Sequence, residues 1–409
     1  MGTFGTSMKF KTASVVLAVL AAAGVGTWIC QLMNGLGVTG MNNGTSWGLY
    51  IAAFMFFVGL SAGGLIVASS ASIFHVTEFK KVALPAVCVS TVCICCAGLL
   101  VILDLGGVAR IFNLIISPNF ISPLFWDICV ISCYLVINLV YLYFMTSKRA
   151  DKSKIAIVSR FALPIAILVH TVTAWIFGLQ IAREGWHSAI MGPLFVASAM
   201  DSGLALLLIV LLALQAAKVF ELGRKLMATL AGLLATCIAV DAFFIGCELL
   251  TVAYPQTAGG TETLGTLFNG VTSPFFWFEI IAGLLIPFCI LVFAKNRARM
   301  GLVAAASVCV VVGVFFKRVW LLLTSFVGFN VAGAPGARLA PRRPTQGGSS
   351  MWALTGTYAP TWVEIVVVIG VVSLGALAFL VLAQKLLPGR AAPRDAEAAA
   401  VERPAGEAA

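Results

Sequence analysis

Ten ionisable side chains stand inside stretches of this chain that are otherwise apolar: Asp104, Asp127, His170, Asp201, Asp241, Glu248, Glu279, Lys317, Arg318 and Glu364. An ionisable group inside a bilayer costs several kcal/mol, so each is a functional candidate. Nearly all fall in the half of their runs nearer one face. At about 1.5 Å per residue, Asp127 comes near that surface, Asp201 roughly 12 Å in and His170 roughly 15 Å in. Proton transfer beside an apolar slot is the chemistry such a set could do, and a quinone requires it. Its redox reaction moves two electrons and two protons, so it needs an apolar place for ring and tail and protonatable groups at its oxygens. His titrates near working pH, and a partly buried carboxylate can join it. Asp127 and His170 are therefore the candidate proton-handling pair. Trp126 is a candidate wall and Trp175 a weaker one, because five residues turn it about 140° from His170. Trp186 and His187 lie on the loop that would roof the pocket.

Each residue also has a plainer reading. Trp47, Trp126, Trp175 and Trp186 fit an interfacial aromatic belt. Asp127 and Glu279 fit acids at helix N-termini, where the macrodipole favours them. His170 could bridge two helices by a hydrogen bond. Asp241 and Glu248, seven apart, share a face and predict a structural ion pair with Lys317 or Arg318.

The elements that must position these groups are membrane helices. The 409 residues are 61% hydrophobic and 10% charged, with mean hydropathy +1.04. A span needs about 20 apolar residues, and ten runs qualify: roughly 12–35, 47–74, 82–104, 124–145, 155–180, 191–217, 226–252, 274–294, 301–323 and 362–384. They are continuously apolar rather than alternating, which selects helices over a barrel. The first run, preceded by Lys9 and Lys11, also resembles a signal peptide. Its continuation to Leu32 favours a retained helix. With both termini inside, nineteen of the 26 Lys and Arg fall on the inner side, while Arg110, Arg183, Lys317, Arg318, Arg338, Arg342 and Arg343 fall outside. The net charge of +10 is thus a topology signal and not a nucleic-acid footprint.

A repeat runs through the chain. Phe112-Asn113 followed by Ser117-Pro118-Asn119-Phe120 returns as Phe268-Asn269 followed by Ser273-Pro274-Phe275-Phe276. Asp104 and Glu248 stand upstream; Trp126-Asp127 and Trp277 with Glu279 stand downstream. A looser echo links Trp47, Phe57 and Val58 to Trp186, Phe195 and Val196. Equivalent helices point the same way, which predicts two four-helix bundles related by an axis along the membrane normal, with a flanking helix at each end. The implied division is 1–45, a first bundle 46–182, a second bundle 183–325, then 326–385 and a disordered tail 386–409. Gly59 and Gly63 give the GxxxG spacing of close helix packing, and Pro164 and Pro287 predict kinks. The eleven cysteines lack iron–sulfur or zinc spacing. His75, His170 and His187 do not supply two embedded haem ligands, and no nucleotide fingerprint is present.

The run Trp47-Gly48-Leu49-Tyr50 leading to Gly59-Leu60-Ser61-Ala62-Gly63-Gly64 resembles the NrfD/PsrC family of membrane subunits from polysulfide-reductase-type complexes. So do Leu103-Asp104-Leu105-Gly106 with Arg110 and Asn113, Ser122-Pro123 with Trp126-Asp127, Trp186-His187-Ser188, and Ser198-Ala199 with Ser202-Gly203. The likeness covers about residues 45–325 and is specific as a combination. It implies two four-helix bundles in the bacterial cytoplasmic membrane. It also implies electron exchange between a membrane quinol, here menaquinol, and a ferredoxin-like iron–sulfur subunit wired to a molybdopterin or multihaem catalytic subunit. The chain itself would hold no haem or metal. The implied quinone pocket lies in the first bundle, with Asp104, Asp127 and His170, and with Arg110 supporting Asp104. Some relatives carry a His just before the Trp of helix 2. Here Asn43 or Thr45 would make that contact, and Asp201 is a further quinone-binding candidate. A secondary transporter with parallel repeats is the other reading; the polar-poor inner halves argue against it.

Overall fold

The computed structural model describes residues 8–42, 44–73, 77–147, 152–220, 222–327 and 358–387. Every regular element among them is helical, and ten helices are long and apolar enough to cross a membrane. In chain order these are α1 (Met8–Asn34), α2 (Leu49–Ile73), α3 (Ala83–Asp104), α4 (Pro123–Thr146), α5 (Lys152–Gly178), α6 (Met191–Ala216), α7 (Arg224–Ala253), α8 (Ser273–Leu291), α9 (Met300–Val327) and α10 (Trp362–Leu386). The chain is an all-α integral membrane protein.

Helices α2 and α3, α3 and α4, α4 and α5, and α5 and α2 pack side by side. The same holds for α6 with α7, α7 with α8, α8 with α9 and α9 with α6. Between the two groups, α2 is the spine. It touches α5, α6 and α9 as well as α3, and 89% of its apolar window is buried, against 6% for α1. Small residues make this possible. A Cβ on Gly63 would stand 2.6 Å from the Gly203 Cα, so the backbones of α2 and α6 meet where neither residue has a side chain. Gly63→Ala should force the pair apart and lower thermal stability by about 1–3 kcal/mol. Gly59→Ala, whose Cβ would find only ordinary contacts of 3.6–3.8 Å, should melt as the parent does. Equal melting of both variants in detergent would contradict this packing.

The flanking helices α1 and α10 pair with each other, Gly24 against Gly370, and α10 rests on α3. Helix α5 continues through Pro164. In α8 the turn before Pro287 is widened into a π segment, Glu279–Leu285. There Gly283 meets Gly313 of α9. π segments recur at functional sites because the extra residue re-aims side chains; here Glu279 faces α9.

The repeat is visible with a shifted register. Pro123 opens α4 and Pro274 opens α8. In each copy the Trp three residues later donates back to the preceding loop, Trp126 to the Phe120 carbonyl at 2.8 Å and Trp277 to the Phe268 carbonyl at 3.1 Å. The equivalent of Ser273-Pro274 is therefore Ser122-Pro123. Ser117-Pro118 lies in the connection, after the short helix Asn113–Ile116.

Candidate functional site

The buried face of α4 is Asp127, Val130, Tyr134, Asn138 and Tyr141. Steps of three and four residues keep one helix face in register, so this membrane helix turns a mostly polar stripe inward. Asp127 heads it. Its Oδ1 lies 2.6 Å from the Thr173 hydroxyl on α5, which also lies 2.8 Å from the Val169 carbonyl. That hydroxyl has one proton to share between the two acceptors and donates to Asp127, tying the carboxyl on α4 to α5. His170 stands one turn from Thr173 on the same face of α5 and is 1% exposed. Its Nδ1 makes no well-formed hydrogen bond. Two turns beyond Asp127, the Tyr134 hydroxyl lies 2.7 Å from Ser90 Oγ. Ser90 in turn donates to Asn138 at 2.8 Å, and Ser61 donates to the Ser90 carbonyl at 2.7 Å. Sequence reading missed Thr173 and this hydroxyl cluster, although the polar spacing on α4 was there to see.

A second polar group lies among α6–α9. Lys317 binds Asp241 at 2.7 and 2.8 Å and reaches Glu279 at 3.6 Å. Trp320 Nε1 donates to Glu279 at 2.5 Å. Asp201, fully buried, lies within electrostatic reach of Asp241 and Lys317, and neither carboxylate oxygen has a well-formed side-chain hydrogen bond among the described residues. This corrects one expectation. Lys317 and Asp241 do form an ion pair, but Glu248 is no part of it. It accepts from Ser188 at 2.6 Å instead, and Glu279 takes its place.

A third group ties the flanking helices to α2 and α3. The Tyr358 hydroxyl donates to Glu364 at 2.5 Å and accepts from the Leu49 amide at 2.7 Å. Burial, and then the charge of Glu364, push the Tyr358 phenol well above its usual range. Tyr50 donates to Gln31, which donates to the Leu103 carbonyl. Asp104 belongs here, in electrostatic reach of Glu364 and Tyr50 and with Oδ1 unpartnered among the described residues. Arg110 does not support it: its side chain is exposed and turns back to the Leu105 carbonyl at 3.4 Å. Tyr358→Phe should lower thermal stability by about 1–3 kcal/mol, because the Leu49 amide loses its acceptor and Glu364 a donor. An unchanged melting temperature would contradict that role.

The remaining candidates are dispersed. Trp126 and Trp175 are 50% and 44% exposed, about half of each ring lying outside the helical interior. Trp186 is buried, stacked on Trp47 at 6.2 Å, edge-on to Phe177 and Phe326, with Nε1 donating to the Leu321 carbonyl at 2.8 Å. It locks the loop after α5 onto the end of α9. Arg183 stacks over Phe326 at 5.0 Å, and burial lowers its pKa. His187 is exposed and lies 3.1 Å from the Gly178 carbonyl. Asn43 and His75 lie outside the described residues. A cavity of about 200 Å³ opens beside Arg183, Glu184, Glu262, Thr266 and Ser325, away from Asp127 and His170. Its charged, hydroxyl-rich lining does not suit an apolar ring.

The fold and site define a class: a multi-pass helical membrane protein with carboxyl, imidazole and hydroxyl groups held in its interior. The chain belongs to the NrfD family, described as polysulphide reductase, NrfD, whose family model matches residues 37–330. It is 36% identical over 400 residues to a putative dimethyl sulfoxide reductase membrane subunit of Halobacterium salinarum, covering 92% of this chain and 91% of the relative. It is 28% identical to an Hdr-like menaquinol oxidoreductase integral membrane subunit of Archaeoglobus fulgidus, covering 95% of this chain and 96% of that one. A selenate reductase subunit of Mesobacillus selenatarsenatis is 24% identical, covering 92% and 94%.

Proposed function

We propose that this chain is the quinol-oxidising membrane subunit of a respiratory oxidoreductase complex. It takes electrons from menaquinol and passes them to a ferredoxin-like iron–sulfur subunit, and so to a molybdopterin or multihaem catalytic subunit. The complex lies in the cytoplasmic membrane, with both termini of this chain on the cytoplasmic side. The residues divide as two four-helix bundles, 46–182 with the quinone site and 183–325, flanked by one helix on each side. The observation that supports the reading is Asp127 of α4 bonded to Thr173 of α5, with His170 one turn away on the same helix: two protonatable groups and a hydroxyl, all buried.

Asp127 and His170 would each take one of the two protons that leave a quinol as its two electrons go to the iron–sulfur partner. A neutral imidazole can accept a proton at a ring nitrogen, which is the role given to His170. Menaquinol is supported by the name of the Archaeoglobus relative, and a catalytic partner by the names of all three.

The test is purification of the tagged chain from its native membrane in mild detergent, with mass spectrometry of what accompanies it. An iron–sulfur subunit together with a large catalytic subunit is the expected result. A chain that emerges with no redox protein would overturn the proposal in favour of a transporter.

A further inference from the structure

Arg318 does not join the ion cluster beside it. Lys317 takes Asp241 and Glu279, while Arg318 turns toward α6. There its Nη2 donates to the Ser198 hydroxyl and its guanidinium lies 4.2 Å over the Phe195 ring. Nε and Nη1 have no hydrogen-bond partner among the described residues, and the side chain is fully buried. An arginine left two-thirds unsatisfied in a membrane interior is a costly arrangement. The stack on Phe195 accounts for only part of it.

The direction it faces supplies the rest. A Cβ on Gly59 of α2 would touch His170 Nε2 at 3.8 Å, Arg318 Nη2 at 3.7 Å and Ser202 Oγ at 3.6 Å. The imidazole of α5 and the guanidinium of α9 therefore converge on one spot, kept open because residue 59 has no side chain. We propose that Arg318 is a positioning residue for the quinol chemistry at His170, acting across Gly59 from the other group of helices; this rests on the reading of His170 given above. In a low-dielectric interior two nearby positive charges repel strongly. A proton that moves from a quinol oxygen to the imidazole is therefore passed on rather than retained. The quinol O–H bond breaks, the N–H bond forms, the electron goes to the iron–sulfur partner and the proton continues toward solvent. Arg318 is the charge that meets His170 at this spot, partly offset by Asp241, Asp201 and Glu279 within its electrostatic reach. Helix α2 presents Gly59, α6 presents Ser202, and the nearest acid on α4, Asp127, is engaged by Thr173.

Arg318→Gln, Arg318→Lys and Gly59→Ala, each in the purified complex, test this by menaquinol oxidation at varied quinol concentration. Arg318→Gln should lower kcat about tenfold or more with KM nearly unchanged. Arg318→Lys, which keeps the charge, should recover much of that loss. Gly59→Ala fits sterically, and by filling the shared spot it should lower kcat several-fold in an assembled complex. An assembled Arg318→Gln complex with parental kcat, or Lys no better than Gln, overturns the proposal. If Arg318→Gln does not assemble, Gly59→Ala decides: a several-fold lower kcat supports the proposal and a parental kcat overturns it. His170→Ala separates the two levels. Parental turnover there sinks the reading of His170 itself. Lost turnover there, with parental rates in the Arg318 and Gly59 variants, sinks only the role of Arg318.

Discussion

Asp127→Asn should remove menaquinol-linked turnover, by about a hundredfold or more, while the complex assembles as before. The amide keeps the volume of the carboxyl and can still meet the Thr173 hydroxyl, which lies 2.6 Å from Oδ1 in the parent. It cannot exchange a proton at working pH. His170→Ala should act on the same step. Trp126→Ala, half-exposed beside Asp127 on the same helix turn, should change turnover less than about twofold, since surface substitutions seldom matter more. Steady-state quinol oxidation by size-matched preparations measures all three. Parental rates for Asp127→Asn and His170→Ala together would remove both from the mechanism.

Lys317→Met should have the largest effect on stability, about 3–5 kcal/mol, because it leaves Asp241 and Glu279 buried without their cation. Both carboxylates are fully enclosed, so water cannot replace the ammonium. The double variant Lys317→Met with Asp241→Asn should recover part of that loss, since it removes a charge from each side. Thermal unfolding in detergent reads both effects. A single variant that melts with the parent, or a double variant less stable than the single, would show that the pair is not what holds α7, α8 and α9 together.

These two effects divide the molecule as the sequence only partly does. Apolar length alone locates all ten spans, because a bilayer leaves a helix little other choice. Gly59 and Gly63 mark the seam of α2 for a similar reason, since backbones can approach only where side chains are absent. Asp127 and His170 stand out because ionisable groups are rare in such surroundings. What stayed hidden is the rotation of each helix and the identity of partners across the fold. Trp126 adjoins Asp127 in sequence yet is half-exposed while Asp127 is buried, because neighbours on a helix are about 100° apart. Asp241 and Glu248 share a face, but two turns along α7 bring Glu248 to Ser188 instead of Lys317. Asp104 and Arg110 are close in the chain, while the turn between them sends one inward to Tyr50 and Glu364 and the other outward. The stripe Asp127, Tyr134, Asn138 and Tyr141 was legible as a polar period on α4. Its hydroxyl partners on α2 and α3 were not.

The central claim is that electrons leave menaquinol at this subunit, at a wall made by Asp127 and His170. Its most direct test is anaerobic addition of menaquinol to the purified complex, with the partner's iron–sulfur clusters followed by electron paramagnetic resonance. The parent complex should show rapid cluster reduction, and the Asp127→Asn and His170→Ala complexes, reducible by dithionite, should show almost none. Clusters that menaquinol leaves oxidised in the parent, or reduces equally fast in all three complexes, would contradict the account.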